Sequence, residues 1–140
     1  AASVIMSEGK VKALGLKPVA KFKCYTTVGC KPDEMGIGPA LAIPKLLKMA
    51  GMDLKDIGLF EINEAFASQA LYCIDTLGID IQNVNIHGGA IALGHPLGCT
   101  GAKLCATLLN NMQERGVKYG VESMCIGGGM GAAALFELIE

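Results

Sequence analysis

Three short segments of this chain carry side chains able to do chemistry. They are Asn63-Glu64-Ala65-Phe66-Ala67, Gly94-His95-Pro96-Leu97-Gly98 and Cys125-Ile126-Gly127-Gly128-Gly129. Each begins where an apolar run or a tight turn ends, the place where α/β proteins concentrate functional groups. His95 brings an imidazole, the ordinary acid/base of neutral pH. Pro96 restricts its backbone to extended conformations, and Gly94 and Gly98 let the chain approach a ligand closely. Cys125 brings a thiol, able to act as a nucleophile or a proton carrier. Four glycines fill the five positions 127–131 after it, and such a turn can aim backbone N–H groups at an anion. Plainer readings stand beside these. His95 could be a loop histidine satisfied by backbone, and Cys125 a buried strand thiol. Asn63 could cap the helix that follows, with Glu64 as a first-turn acid favoured by the helix dipole or as a group orienting a water.

The elements that must position these groups read as alternating strands and helices. Residues 1–7 are an apolar run with strand character, and the chain opens on it abruptly, as if cut from something longer. Residues 8–16 suit a short helix, and 19–28 carry the Val, Phe, Tyr and Thr of a strand. A loop follows at 29–33. Pro39 opens a clear helix in which Ile43, Leu46, Leu47 and Ala50 form one stripe, Lys45 and Lys48 face outward, and Gly51 ends the pattern. Residues 56–62 read as a buried strand and 64–77 as a helix. A glycine-rich stretch covers 88–101, and a third helix runs on to about Arg115. Strands at 119–126 and 132–139 form a hairpin around a wide glycine turn. This pattern predicts an α/β fold, a mixed five-stranded sheet with helices on both faces in α/β/α layers, and one domain over 1–140.

Composition excludes several classes. Hydrophobic residues are 51% and charged residues 18% of the 140, so the chain buries a core. A net charge of −1 leaves no basic stripe for nucleic acid, and no Trp with 5% aromatics leaves no stacking platform for bases. There is no apolar run long enough for a membrane span, no leader pattern, and no C-terminal address signal. The expected location is the cytoplasm, with an organelle left open. The six cysteines include no C-x-x-C pair, which removes the usual zinc and redox signals and fits a reducing compartment. No metal site is expected. Gly98 to Lys103 approaches a phosphate-binding loop, but Ala102 separates Gly101 from Lys103 where the motif needs them adjacent. His87 reads as structural, and Met35, Met49, Met112 and Met124 as core or pocket wall.

Taken in order, Asn-Glu-Ala-Phe-Ala at 63–67, Gly-Gly-Ala-Ile-Ala-Leu-Gly-His-Pro-Leu-Gly at 88–98 and Cys-Ile-Gly-Gly-Gly-Met-Gly at 125–131 resemble the C-terminal half of the thiolase family. Met35-Gly36-Ile37-Gly38-Pro39 fits as well, and the resemblance covers essentially the whole chain. Ala-Ser-Gln-Ala at 67–70 and Gly-Pro-Ala-Leu-Ala-Ile-Pro at 38–44 are nearer to degradative 3-ketoacyl-CoA thiolases than to biosynthetic ones. The resemblance implies acyl transfer between CoA thiols: a 3-ketoacyl-CoA is cleaved by CoA, or formed in reverse, through an acyl-cysteine. CoA would be a substrate, with no further cofactor. By the same resemblance His95 would activate the nucleophile and bind a thioester oxygen, and Asn63 would hold a water completing that oxyanion hole. Cys125 would move the proton at the substrate's α-carbon, and the Gly127 N–H would serve a second oxyanion hole. Ala65 and Phe66 would line the pantetheine tunnel, and Met35 would border the acyl pocket.

One departure matters. In the family the acylated cysteine lies in the N-terminal half, and none of Cys24, Cys30, Cys73 or Cys99 stands in a comparable setting. The expected partners are therefore acyl-CoA and CoA, an N-terminal thiolase half, and further copies in a homo-oligomer. The helix ending near Arg115 is expected to expose an apolar outward face. Three other readings remain beside this one. They are a synthase half of the same superfamily, which Cys125 argues against, a non-catalytic acyl-CoA-binding or scaffold domain, and a Cys125–His95 hydrolase. The isolated 140-residue chain is expected to leave acetoacetyl-CoA intact in the presence of CoA. Disappearance of its enolate absorbance at thiolase-like rates would refute that expectation.

Overall fold

The computed structural model describes residues 1–139, and the alternation in the sequence becomes nine elements. In chain order they are α1 (Glu8–Ala13), β1 (Ala20–Gly29), α2 (Gly38–Ala50), β2 (Leu59–Ile62), α3 (Ala67–Leu77), α4 (Ala90–Leu93), α5 (Thr100–Arg115), β3 (Tyr119–Ile126) and β4 (Met130–Leu138). Short 3₁₀ turns occupy Pro32–Ile37, Leu54–Asp56 and Ile81–Asn83. The strands form one sheet in the order β1-β4-β3-β2. β4 is antiparallel to both neighbours, while β2 and β3 run parallel.

The sheet has four strands among the described residues, not five. Residues 1–7 supply no strand. They are apolar but fully flanked by solvent, with Val4 87% exposed and no ladder partner. Strand propensity describes a half-buried pleated surface, and this run has no neighbour to provide one. The 56–62 strand also shortens to β2, because Asp53 and Asp56 close a capping box that holds Leu54–Asp56 in a 3₁₀ turn.

Side chains alternate across the sheet with the period of two that strands impose. Phe60, Ile62, Val121, Ala133 and Leu135 pack with Ile43, Leu46 and Leu47 of α2 and Ile74 of α3. Leu59, Ala134 and Phe136 face the other way, onto Leu108 and Met112 of α5. The result is the expected three layers. α2 settles on the sheet backbone against backbone. A Cβ added to Gly38 would lie 2.6 Å from the Met130 carbonyl oxygen, and one added to Gly131 would overlap the Gly38 backbone. The outward side of α5 differs from expectation. Ala106, Asn110, Gln113, Glu114 and Arg115 are its exposed positions, and Ala102, Cys105 and Leu109 are half-buried, so no large apolar residue of α5 is exposed. The helix spends its long aliphatic side chains inward, and small or polar ones remain. Exposed apolar side chains lie elsewhere, among them Val4 and Ile5, Ile91 and Leu93 of α4, and Leu97.

Between the sheet and α5 sits a polar insertion. Glu61 and Glu122 are register partners on β2 and β3. Asn111 of α5 donates Nδ2–H to Glu61 Oε1 at 3.0 Å, while Glu122 Oε2 is buried without a partner. Burial pushes the Glu61 carboxyl up to about 7, against the lowering effect of the Asn111 hydrogen bond. Burial, and then the Glu61 charge, pushes Glu122 up to about 8. Two carboxylates side by side in a low-dielectric setting cannot both ionise cheaply. Both carboxyls bind protons more tightly folded than unfolded. Their stabilising contribution is full below the ordinary carboxylate range, near pH 4, and is lost as pH rises through about 7 and about 8. Urea unfolding should therefore show stability falling from about pH 5 to about pH 8, by up to tenfold in the folding constant per pH unit for each proton released. Glu122→Gln should flatten the upper part of that fall. An unchanged slope in the variant would show that the pair does not titrate together.

Candidate functional site

Asn63 and Cys125 meet because β2 and β3 are parallel. Ile62 pairs with Ser123, and the Asn63 N–H donates to the Ser123 carbonyl at 2.9 Å, so both strands end at one edge of the sheet. His95 is carried to that edge by the turn between α4 and α5. A cleft of about 510 Å³ lies there, lined by Met35, Ala65, Phe66, His95, Cys125 and Gly127, among others. Six of the seven predicted site residues thus line one cleft, and the seventh, Asn63, is fully buried in contact with His95. A second cleft, of about 570 Å³, lies at the opposite end of the sheet among Lys23, Met52 and Tyr119 and holds none of these residues.

His95 is exposed on one side and anchored on the other. Its Nδ1 lies 2.7 Å from Oγ1 of Thr100, the first residue of α5, itself only 3% exposed. The Asn63 amide nitrogen lies 3.5 Å from both ring nitrogens. The other end of that amide, Oδ1, is buried with no hydrogen-bond partner in the protein. A buried acceptor of this kind costs stability unless something satisfies it, and a hydrogen-bond donor bound here would do so. Cys125 faces the same cleft as a half-buried free thiol. Burial raises its pKa, and its own backbone N–H offsets part of that. At neutral pH it is therefore held as the thiol, the form that donates a proton.

The turn after Cys125 is tighter than expected. Ile126 pairs with Met130, which leaves three loop residues, Gly127, Gly128 and Gly129, and starts β4 two positions before the predicted strand. Gly129 has φ +89°, and a Cβ there would overlap the Cys30 carbonyl. The Cys30 N–H donates to the Gly129 carbonyl at 2.8 Å, which ties the turn to the end of β1. Glycine at 129 is thus required twice, by dihedral and by space.

Asn63 and Glu64 do not cap the following helix. α3 starts at Ala67, three residues after the predicted start, with Phe66 at its N-cap. Glu64 turns away toward α4, where its Oε2 accepts the Ile91 N–H at 3.0 Å and its Oε1 accepts from Asn85 Nδ2 at 2.9 Å. Asn85 is the residue that binds this corner together. It adopts φ +48°, which Asn tolerates better than most side chains. Its amide exchanges two hydrogen bonds with the Ile62 backbone, both 2.9 Å, as a neighbouring strand would. The sequence reading passed over Asn85 and Thr100. The signal for Asn85 was its place in Asn83-Val84-Asn85, just before the glycine-rich stretch. That for Thr100 was a hydroxyl five positions after His95, at a helix start. His87 is exposed and lies 3.3 Å from Glu114, away from the cleft. Among the described residues no group of three or more His, Cys, Asp or Glu is arranged to hold a metal, and no helix is long and apolar enough to cross a membrane.

Comparison with known proteins places this geometry in context. The family described as "Thiolase, C-terminal domain" matches residues 16–138. The 3-ketoacyl-CoA thiolase of Bacillus subtilis (strain 168) is 59% identical over 138 residues, which are 99% of this chain and 35% of that protein. The crystal structure of human mitochondrial 3-ketoacyl-CoA thiolase in complex with CoA superposes with a TM-score of 0.93 at 47% identity, covering 95% of this chain and 34% of that one. The dimeric peroxisomal thiolase of Saccharomyces cerevisiae gives 0.88 at 55% identity, with 93% and 33% covered. The chain spans about a third of the length of the relatives it matches.

Asn85→Ala removes three hydrogen bonds at about 1 kcal/mol each. Urea unfolding should show a loss of about 3 kcal/mol, and the Ile91 amide should exchange faster with solvent. A loss under about 0.5 kcal/mol, the ordinary surface value, would mean that Asn85 does not hold the corner.

Proposed function

Because the chain belongs to the thiolase family, as its C-terminal domain, we propose that it supplies the acid/base and oxyanion-binding groups of a 3-ketoacyl-CoA thiolase. The nucleophilic cysteine then comes from an N-terminal half. The observation that carries this reading is the meeting of His95 and Cys125 on one cleft beside the unpartnered carbonyl of Asn63.

In this reading His95 takes the proton of the nucleophilic thiol, and the thiolate attacks the 3-keto carbon of the substrate. The negative charge on that oxygen is met by N–H donors, among them Gly127 in the glycine turn. Collapse breaks the bond between C2 and C3 and leaves an acyl-cysteine and an enolate. Cys125, held as a thiol by burial, gives its proton to the enolate carbon, and acetyl-CoA leaves. The incoming CoA thiol returns that proton to Cys125, its thiolate takes the acyl group from the cysteine, and the released cysteine thiolate recovers its proton from His95. His95 and a water on Asn63 Oδ1 bind the thioester oxygen as charge develops there. Ala65 and Phe66 border the path of the pantetheine arm, and Met35 borders the acyl group. CoA is a substrate in this scheme, and no further cofactor enters it.

Residues 1–140 then act as one C-terminal unit of a longer protein that assembles as a homo-oligomer, in line with the dimeric yeast neighbour. Six free cysteines fit a reducing setting, the cytoplasm or an organelle. In the complete protein, His95→Ala should reduce the thiolysis rate by about a hundredfold to ten-thousandfold, the range for loss of one acid/base group. Thiolysis at the parental rate would remove His95 from the mechanism.

A further inference from the structure

His95 has two ring nitrogens, and only one can be the free base of a neutral ring. The Asn63 amide does not choose between them, since it lies 3.5 Å from each. Thr100 does choose. Its Oγ1 lies 2.7 Å from Nδ1, and the same hydroxyl donates to the Pro96 carbonyl at 3.1 Å. Pro96 stands four positions before Thr100, and a helical Thr habitually places its proton on that carbonyl. A hydroxyl has one proton. With that proton on Pro96, the oxygen presents only lone pairs to His95, so Nδ1 must be the donor.

We propose that Thr100 is a positioning residue that fixes His95 as the Nδ1–H tautomer and leaves Nε2 as the unprotonated, cleft-side nitrogen. The chain Nδ1–H to Oγ1–H to carbonyl is fully satisfied, and each bond polarises the next. The anchor is well placed for this task. Thr100 is buried, begins the sixteen-residue helix α5, and lies within the same tight turn as His95. The ring is therefore held from the rigid side of the site while its other edge stays open. The tautomer stands on these hydrogen bonds alone, whereas its use in taking a thiol proton rests on the thiolase reading.

Long-range proton–nitrogen correlation spectra of the chain, labelled with ¹⁵N-histidine and recorded with the ring neutral, test the assignment directly. The chain has only two histidines, and His87→Gln identifies the signals. The expected spectrum shows His95 as one tautomer, protonated at Nδ1. Thr100→Val keeps the shape and removes the hydroxyl, and should shift both nitrogens toward the average of a mixed population. Thr100→Ser should restore the original pattern. A proton on Nε2 in the unmodified chain overturns the proposal, and that spectrum decides even if the valine variant misfolds. Identical spectra for Thr100→Val and the unmodified chain overturn it as well. An Nδ1–H tautomer in a complete protein without thiolysis would support the positioning role and refute the catalytic reading separately.

Discussion

The parallel pairing of β2 with β3 is the constraint on which the site depends. Only parallel neighbours end at the same edge of a sheet, and Ile62 opposite Ser123 sets where they end. One residue beyond that pair stands Asn63, and two residues beyond it stands Cys125. A slip of β3 by one position would turn Cys125 to the opposite face, and a slip of β2 would point Glu61 into the aliphatic layer under α2. The hydrophobic alternation that fixes the core is therefore also what fixes the spacing of the reactive groups. The helices contribute the third group from outside the sheet: the turn into α5 brings His95 across, and Glu64 and Asn85 clamp the start of α4, which precedes that turn, to the end of β2.

Polarity is buried on both sides of this pairing, with different consequences. Toward α5, Glu61 and Glu122 share a layer with Asn111 and are tuned toward neutral pH by burial, with the Glu61 charge adding to the shift of Glu122. At the open edge, Asn63 and Cys125 are partly enclosed but face a cleft. The first pair lies between the sheet and α5, outside the cleft that holds His95 and Cys125, and it makes folding sensitive to pH. The second set has an unpartnered acceptor and a thiol kept protonated, which are features of a surface awaiting chemistry. A high carboxyl pKa alone would have pointed to the wrong pair.

Much of this was legible in the sequence. The stripe of Ile43, Leu46 and Leu47 marked α2 within a residue or two, and the helix after the glycine-rich stretch was placed to its end at Arg115. The glycine-bounded motifs named the residues that meet at the cleft. What was not legible depended on partners distant in the chain. Residues 1–7 have the composition of a strand, but pairing is a property of two segments, and none of the described segments receives them. Asn63-Glu64-Ala65 reads as a helix start because it has the right residue types. Glu64 instead finds amide groups more than twenty positions away, at Asn85 and Ile91. Thr100 escaped notice because a threonine at a helix start has an ordinary local role, and its second contact with His95 appears only once the turn closes. The five-strand count failed with residues 1–7, and for the same reason.

The three-glycine turn between β3 and β4 also bears on the order of assembly. It joins neighbouring strands through the shortest loop in the sheet, so that hairpin closes with little loss of chain entropy. The β2–β3 pairing joins residues about sixty positions apart, and long-range parallel pairing is intrinsically slow. Contact order thus favours a route in which Cys125 is on its finished turn before β2 arrives. The cleft then forms only once β2 has docked, and a partly folded chain without β2 carries its thiol exposed and without its neighbours.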